Sequence, residues 1–93
     1  MDQKQLAASL DHGDAWVAHS TGPGEDTRQV GITVTLMKLG NGQYQVGIDT
    51  YFIEGVYGTD ISWDHHQFAV LSEALDFIEA KTNISRDLLK QKQ

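Results

Sequence analysis

Apolar and polar positions alternate along two neighbouring stretches of the chain. Val30, Ile32, Val34 and Leu36 are interleaved with Gly31, Thr33, Thr35 and Met37, and Tyr44, Val46, Ile48 and Phe52 with Gln45, Gly47, Asp49 and Tyr51. A period of two marks strands with one buried face. Between them, Leu39-Gly40-Asn41-Gly42-Gln43 supplies an Asn and two Gly that take positive φ angles at little steric cost. The pattern predicts a β-hairpin from Arg28 to Phe52. A two-residue Asn41-Gly42 loop would oppose Met37 to Val46 and Thr35 to Ile48, turning Val34 and Leu36 outward. A three-residue loop from Gly40 to Gly42, with Gly42 left-handed, opposes Leu36 to Val46, Val34 to Ile48 and Val30 to Phe52. Because a one-residue slip exchanges the faces of a strand, burial selects the second register.

The flanking segments are shorter and less regular. Asp2 to Leu10 reads as a short helix, with Asp2 and Gln5 as a loose capping box, Leu6 and Leu10 as a narrow stripe and Gly13 as a stop. Asp14 to Ser20 reads as a strand, and its alternation leaves open whether Ala15 and Val17 or Trp16 and Ala18 face inward. Ser20 to Thr27 holds the only proline and two glycines, a loop composition. Past Phe52 the pattern breaks at Gly55 and Gly58, so the segment up to Trp63 is either an ordered loop or contains a fourth strand around Ile61 to Trp63.

A helical period takes over from Phe68. At about 100° per residue, Phe68, Leu71, Ala74, Leu75 and Ile78 share one arc, with Ser72, Glu73, Asp76 and Glu79 on the far side. This spacing predicts a long helix capped by Asp64 with Gln67, ended by Asn83 and laid over Val34, Leu36, Val46 and Ile48. Ser85 then caps a last short helix bearing Leu88 and Leu89. The expected fold is a single α+β domain over residues 1–93: a short N-terminal helix, a three- or four-stranded antiparallel meander packed on one long helix, and a short C-terminal helix.

Composition narrows the functional classes. The 93 residues contain no cysteine, which excludes disulfides, thiolate metal sites and a cysteine nucleophile. Met1 to Gln5 has neither the basic nor the apolar region of a secretory signal, and no apolar run approaches the ~18 residues of a membrane span, so a cytoplasmic protein is expected. The net charge is −6, and no Lys or Arg lies between Lys38 and Lys81, where Asp49, Glu54, Asp60, Asp64, Glu73, Asp76 and Glu79 fall. Such a surface disfavours direct contact with nucleic acid or anionic membrane and suits a basic protein partner.

Chemistry-bearing motifs are sparse. Histidine and carboxylate gather at Asp11-His12-Gly13-Asp14 and from Asp60 to His66. A metal site needs three or four converging ligands, whereas His65 and His66 as adjacent helical residues diverge, so no metal or cofactor is expected. No phosphate-cradling loop or nucleophile elbow occurs, and no pair of titratable groups has a convincing acid-base spacing, so the chain is read as a non-enzyme.

The order of elements resembles that of double-stranded RNA-binding domains. Where those carry a lysine cluster at the start of the second helix, this chain has Asp64-His65-His66-Gln67, which argues against RNA binding. The outline is similar also to small acidic phage inhibitors of CRISPR nucleases. It resembles antitoxins of the HicB type through Tyr44-Gln45-Val46 and Ser72-Glu73-Ala74-Leu75, though without the strand expected after the helix; no specific motif accompanies either likeness.

Aromatic residues mix with acids at Tyr51, Tyr57 and Trp63, the composition of protein interfaces. The expected function is therefore a protein-binding module, of inhibitor or immunity type, that docks a basic, nucleic-acid-binding partner such as a nuclease by placing carboxylates where phosphates would lie. Asp49, Glu54, Asp60 and Asp64 would steer it and Tyr57 and Trp63 anchor it. The alternative is a homodimeric regulatory or structural domain, antitoxin-like, that self-associates through its open sheet face, near Met37, Tyr51 and Ile53, or through a strand edge.

Overall fold

In the computed structural model, which describes residues 2–23, 29–53 and 60–92, the hairpin is the centre of a five-stranded antiparallel sheet. Strands β2 (Gln29–Lys38) and β3 (Tyr44–Phe52) pair with Leu36 opposite Val46, Val34 opposite Ile48 and Val30 opposite Phe52. This is the register selected by burial. The turn closes as the Leu39 N–H donates to the Gln43 carbonyl at 2.8 Å and the Gly42 N–H to the Leu39 carbonyl at 3.0 Å, with Gly42 at φ 85°.

Strand β1 (Trp16–Pro23) pairs with β2, and β4 (Asp60–Phe68) with β3. A two-residue strand, β5 (Lys90–Gln91), adds to the other side of β1, giving the order β4-β3-β2-β1-β5. Helices α1 (Gln3–Asp11) and α2 (Leu71–Thr82) cover the same face. Leu6 and Leu10 from α1 and Leu71, Ala74, Leu75 and Ile78 from α2 form one buried cluster with Ala18, Val34, Leu36, Val46 and Ile48. Because Ala18 is buried opposite Val34, Trp16 and Ala18 are the inward pair of β1. Trp16 then donates through Nε1 to Ser9 Oγ at 2.9 Å, and Ser9 donates to Asp14 at 2.7 Å, fastening the end of α1 to the start of β1.

Three expectations change. Ser20 to Pro23 continue β1 rather than opening a loop, since they pair through to Gln29. The fourth strand is nine residues long and takes in Asp64-His65-His66-Gln67, so these residues do not begin the long helix. The helix starts at Leu71 with Val70 as a cap that makes no side-chain bond. Side-chain alternation along β4 shows why: Asp64, His66 and Phe68 oppose Ile48, Val46 and Tyr44, while Trp63, His65 and Gln67 oppose Asp49, Gly47 and Gln45. Pairing along the whole of β3 outweighs the extra helical turn that Asp64 could have capped.

The chain end differs as well. The expected C-terminal helix is a single 3-10 turn, Arg86–Leu88, whose Ser85 cap accepts from the Asp87 N–H at 3.2 Å. The Arg86 guanidinium donates to Asp76 at 2.6 Å and to Glu79 at 2.8 Å, and the Arg86 backbone N–H donates to Glu79 at 2.9 Å. With Ile84 and Leu89 buried on either side of this turn, Lys90 and Gln91 are delivered to the edge of β1. The sheet thus has five strands rather than three or four.

Candidate functional site

The second face of the sheet carries no helix among the described residues, and its side chains follow from strand alternation. With Val34, Leu36, Val46 and Ile48 committed to the core, β2 turns Gly31, Thr33, Thr35 and Met37 to this face and β3 turns Gln45, Gly47, Asp49 and Tyr51. Strand β4 adds Trp63, His65 and Gln67, and β1 adds Val17 and His19.

Two glycines shape the surface. The Tyr51 ring lies across Gly31 so closely that a Cβ there would sit 2.5 Å from it, and the His65 ring covers Gly47 with 3.3 Å for the same atom. Rings from neighbouring strands therefore lie flat where a side chain would have lifted them. Tyr51 is held by more than packing, because its hydroxyl is 3.4 Å from Thr33 Oγ1, which is 3.0 Å from His19 Nδ1.

Trp63 stands beside this flat area. It is 66% exposed and meets His65 edge to face, with ring centroids 4.2 Å apart. Trp63 and Asp49 are direct cross-strand partners. They line, with Thr33, Thr35, Gly47 and His65, a shallow concavity of about 210 Å³. Asp49 is half-buried, and its Oδ1 is shielded from solvent. The concavity is thus lined by a carboxylate, two threonine hydroxyls, an imidazole and one large exposed indole. Those groups can hold a cationic or hydrogen-bonding side chain against an aromatic wall.

The six residues singled out in the sequence are distributed unevenly. Asp49 and Trp63 come together on the open face. Asp64 falls on the opposite side of β4, the side facing α2, because it neighbours Trp63 in a strand. Asp60 pairs with Tyr51 beyond a bulge that skips Ile61, and Glu54 and Tyr57 lie outside the described residues. Thr33, Thr35 and His65 were not among the residues singled out. The signal for His65 was the alternation from Ser62 to Phe68, which the Asp64-Gln67 capping pattern concealed.

His65 and His66 diverge, but as strand neighbours on opposite faces. His66 stacks on Phe77 of α2, with centroids 4.6 Å apart. His12 is at the end of α1. Among the described residues no three His, Asp or Glu side chains gather in a way that could hold a metal ion. No helix there is long and apolar enough to cross a membrane. No protein-family model, curated protein or solved structure matches the chain, so its geometry is what speaks for its function.

Proposed function

We propose that the chain is a non-enzymatic protein-binding module that docks a basic partner, such as a nuclease or another nucleic-acid-binding protein, on its open sheet face. The observation that carries this reading is the direct pairing of Asp49 with an exposed Trp63 beside one concavity. An Arg or Lys side chain entering there meets a carboxylate at its head and an indole along its stem, the two contacts that favour a guanidinium or ammonium. Large exposed aromatics at the centre of a patch supply most of the energy of protein interfaces. The surrounding charge supports the same choice of partner. The sequence between Lys38 and Lys81, which includes β3, β4 and nearly all of α2, has no Lys or Arg. Steering acts through the field of the whole half-molecule, so Asp64 contributes to encounter although it lies on the other face.

Capture of partners on the immobilised chain tests the proposal. Trp63→Ala should weaken capture by about 2 kcal/mol, a loss of ~30-fold in affinity, while leaving folding stability within about 0.5 kcal/mol. Asp49→Lys should abolish capture of the basic partner, whereas Glu73→Lys, the same charge change on the exposed side of α2, should leave most of it. Capture indifferent to both Asp49→Lys and Trp63→Ala would rule the open face out.

A further inference from the structure

Among the described residues the outer edge of β4 is the least protected feature of the sheet. β4 is the last strand on its side among the described residues, and from Ser62 to Phe68 it pairs with β3 without interruption, the bulge at Ile61 lying before that stretch. Ser62 to Gln67 are all exposed. A straight edge of this length presents a row of backbone N–H and C=O groups to any other strand, and soluble proteins usually blunt it with Lys, Pro or brevity. The opposite edge is treated that way, since β5 has two residues and one is Lys90. β4 contains neither Lys nor Pro.

One device remains on β4, and it selects a partner. Asp64 projects to the helix side of the sheet, where an added strand would bring its own side chains alongside. A carboxylate there rejects an apolar neighbour and accepts one that presents a hydrogen-bond donor. We propose that the occupant of this edge is β4 of a second copy, paired antiparallel about a two-fold axis at His65. In that register Asp64 of each copy lies opposite His66 of the other, twice over. Trp63 then opposes Gln67, Ser62 opposes Phe68, and His65 meets its own counterpart.

The neighbouring registers fail on the same chemistry. Sliding one copy by two residues in one direction sets Asp64 against Asp64, like charges directly opposite. Sliding two the other way sets Asp64 against Phe68 and leaves the carboxylate without a donor. A slide of four in the first direction brings the Ile61 bulge into the ladder, and in the other it sets Asp64 against Val70, beyond the end of β4.

The pairing about His65 is isologous and closed, so it ends at a dimer. It joins two five-stranded sheets into one ten-stranded sheet. It also puts the two Trp63 side chains on a single face, about 13 Å apart along the strand direction at ~3.3 Å per residue. Two docking concavities would then stand side by side.

Sedimentation equilibrium over micromolar to near-millimolar chain, with amide hydrogen exchange at the two extremes, tests the assignment. The expected result is a monomer–dimer equilibrium in which β4 amides gain protection as concentration rises. His66→Asp, which opposes two carboxylates, should weaken the dimer more than tenfold, and the double variant D64K/H66D should restore it. Thr35→Lys, on the open face two strands from this edge, should leave it unchanged. A monomer at every concentration overturns the proposal. So does a dimer that protects no β4 amide, one insensitive to His66→Asp, or one dissolved by Thr35→Lys.

Discussion

Gly31 and Gly42 are required for different reasons, and substitutions separate them. At Gly31 the obstacle to a side chain is the far end of Tyr51, which can swing away. Gly31→Ala should therefore keep the fold but lift the tyrosine from Thr33. NMR should show the contacts between the Tyr51 ring and Thr33 lost while those between Val34 and Ile48 across β2 and β3 persist. At Gly42 the space is open and the backbone is the constraint, with φ at 85°. Gly42→Ala should cost about 1 to 2 kcal/mol in urea unfolding, the penalty of a left-handed conformation for a residue with a Cβ. Trp63 differs from both, because its ring is mostly exposed, and on the proposed docking role its removal should weaken binding rather than folding.

The elements are held to the sheet with unequal strength. α2 lies over β3 and β4 and buries Leu71, Ala74, Leu75 and Ile78 in the core, where Leu75 is fully enclosed. Leu75→Ala should destabilise the domain by about 2 to 5 kcal/mol, measured by denaturant unfolding. The C-terminal segment depends on Arg86 as well as on Ile84 and Leu89. The Arg86 side chain, followed by its backbone N–H, holds the Glu79 carboxyl below its ordinary value near 4.5. A carboxyl lowered in this way stabilises the fold above its unfolded pKa, and the contribution is lost as pH falls through the folded pKa. Acidification below about pH 4.5 should therefore loosen the 3-10 turn and β5 before the rest of the sheet. Faster exchange of the Lys92 amide, which donates to the Ala15 carbonyl at 2.8 Å, would report it. Glu79→Gln should remove that pH dependence.

For the whole molecule, charge and architecture divide the labour. On the proposed reading, the acidic field of the half built from β3, β4 and α2 would act at a distance and the Asp49–Trp63 pair on contact. Raising salt from ~0.05 to ~0.5 M should accordingly slow association with a basic partner by roughly tenfold and change dissociation much less, as surface plasmon resonance would show. Trp63→Ala should do the reverse and mainly speed dissociation.

What was legible in the sequence was local. Alternation and the Gly40-Asn41-Gly42 turn determined the central hairpin and its register, since a slip would have exposed Val34 and Leu36. The helical arc determined which side of α2 is buried, and the Asp2, Asn83 and Ser85 caps stand where the residue types placed them. The residues from Asp64 to Phe68 were ambiguous because they satisfy a helix cap and a strand alternation equally well. Only the presence of β3, offering partners as far as Tyr44, decided for the strand. That decision divided the acidic residues between two faces, paired Asp49 with Trp63, and left an edge at β4. The order of β1 and β5 was likewise beyond reach of the sequence. It depends on Leu89 finding the core and Arg86 finding Asp76 and Glu79, contacts between residues that no local period connects.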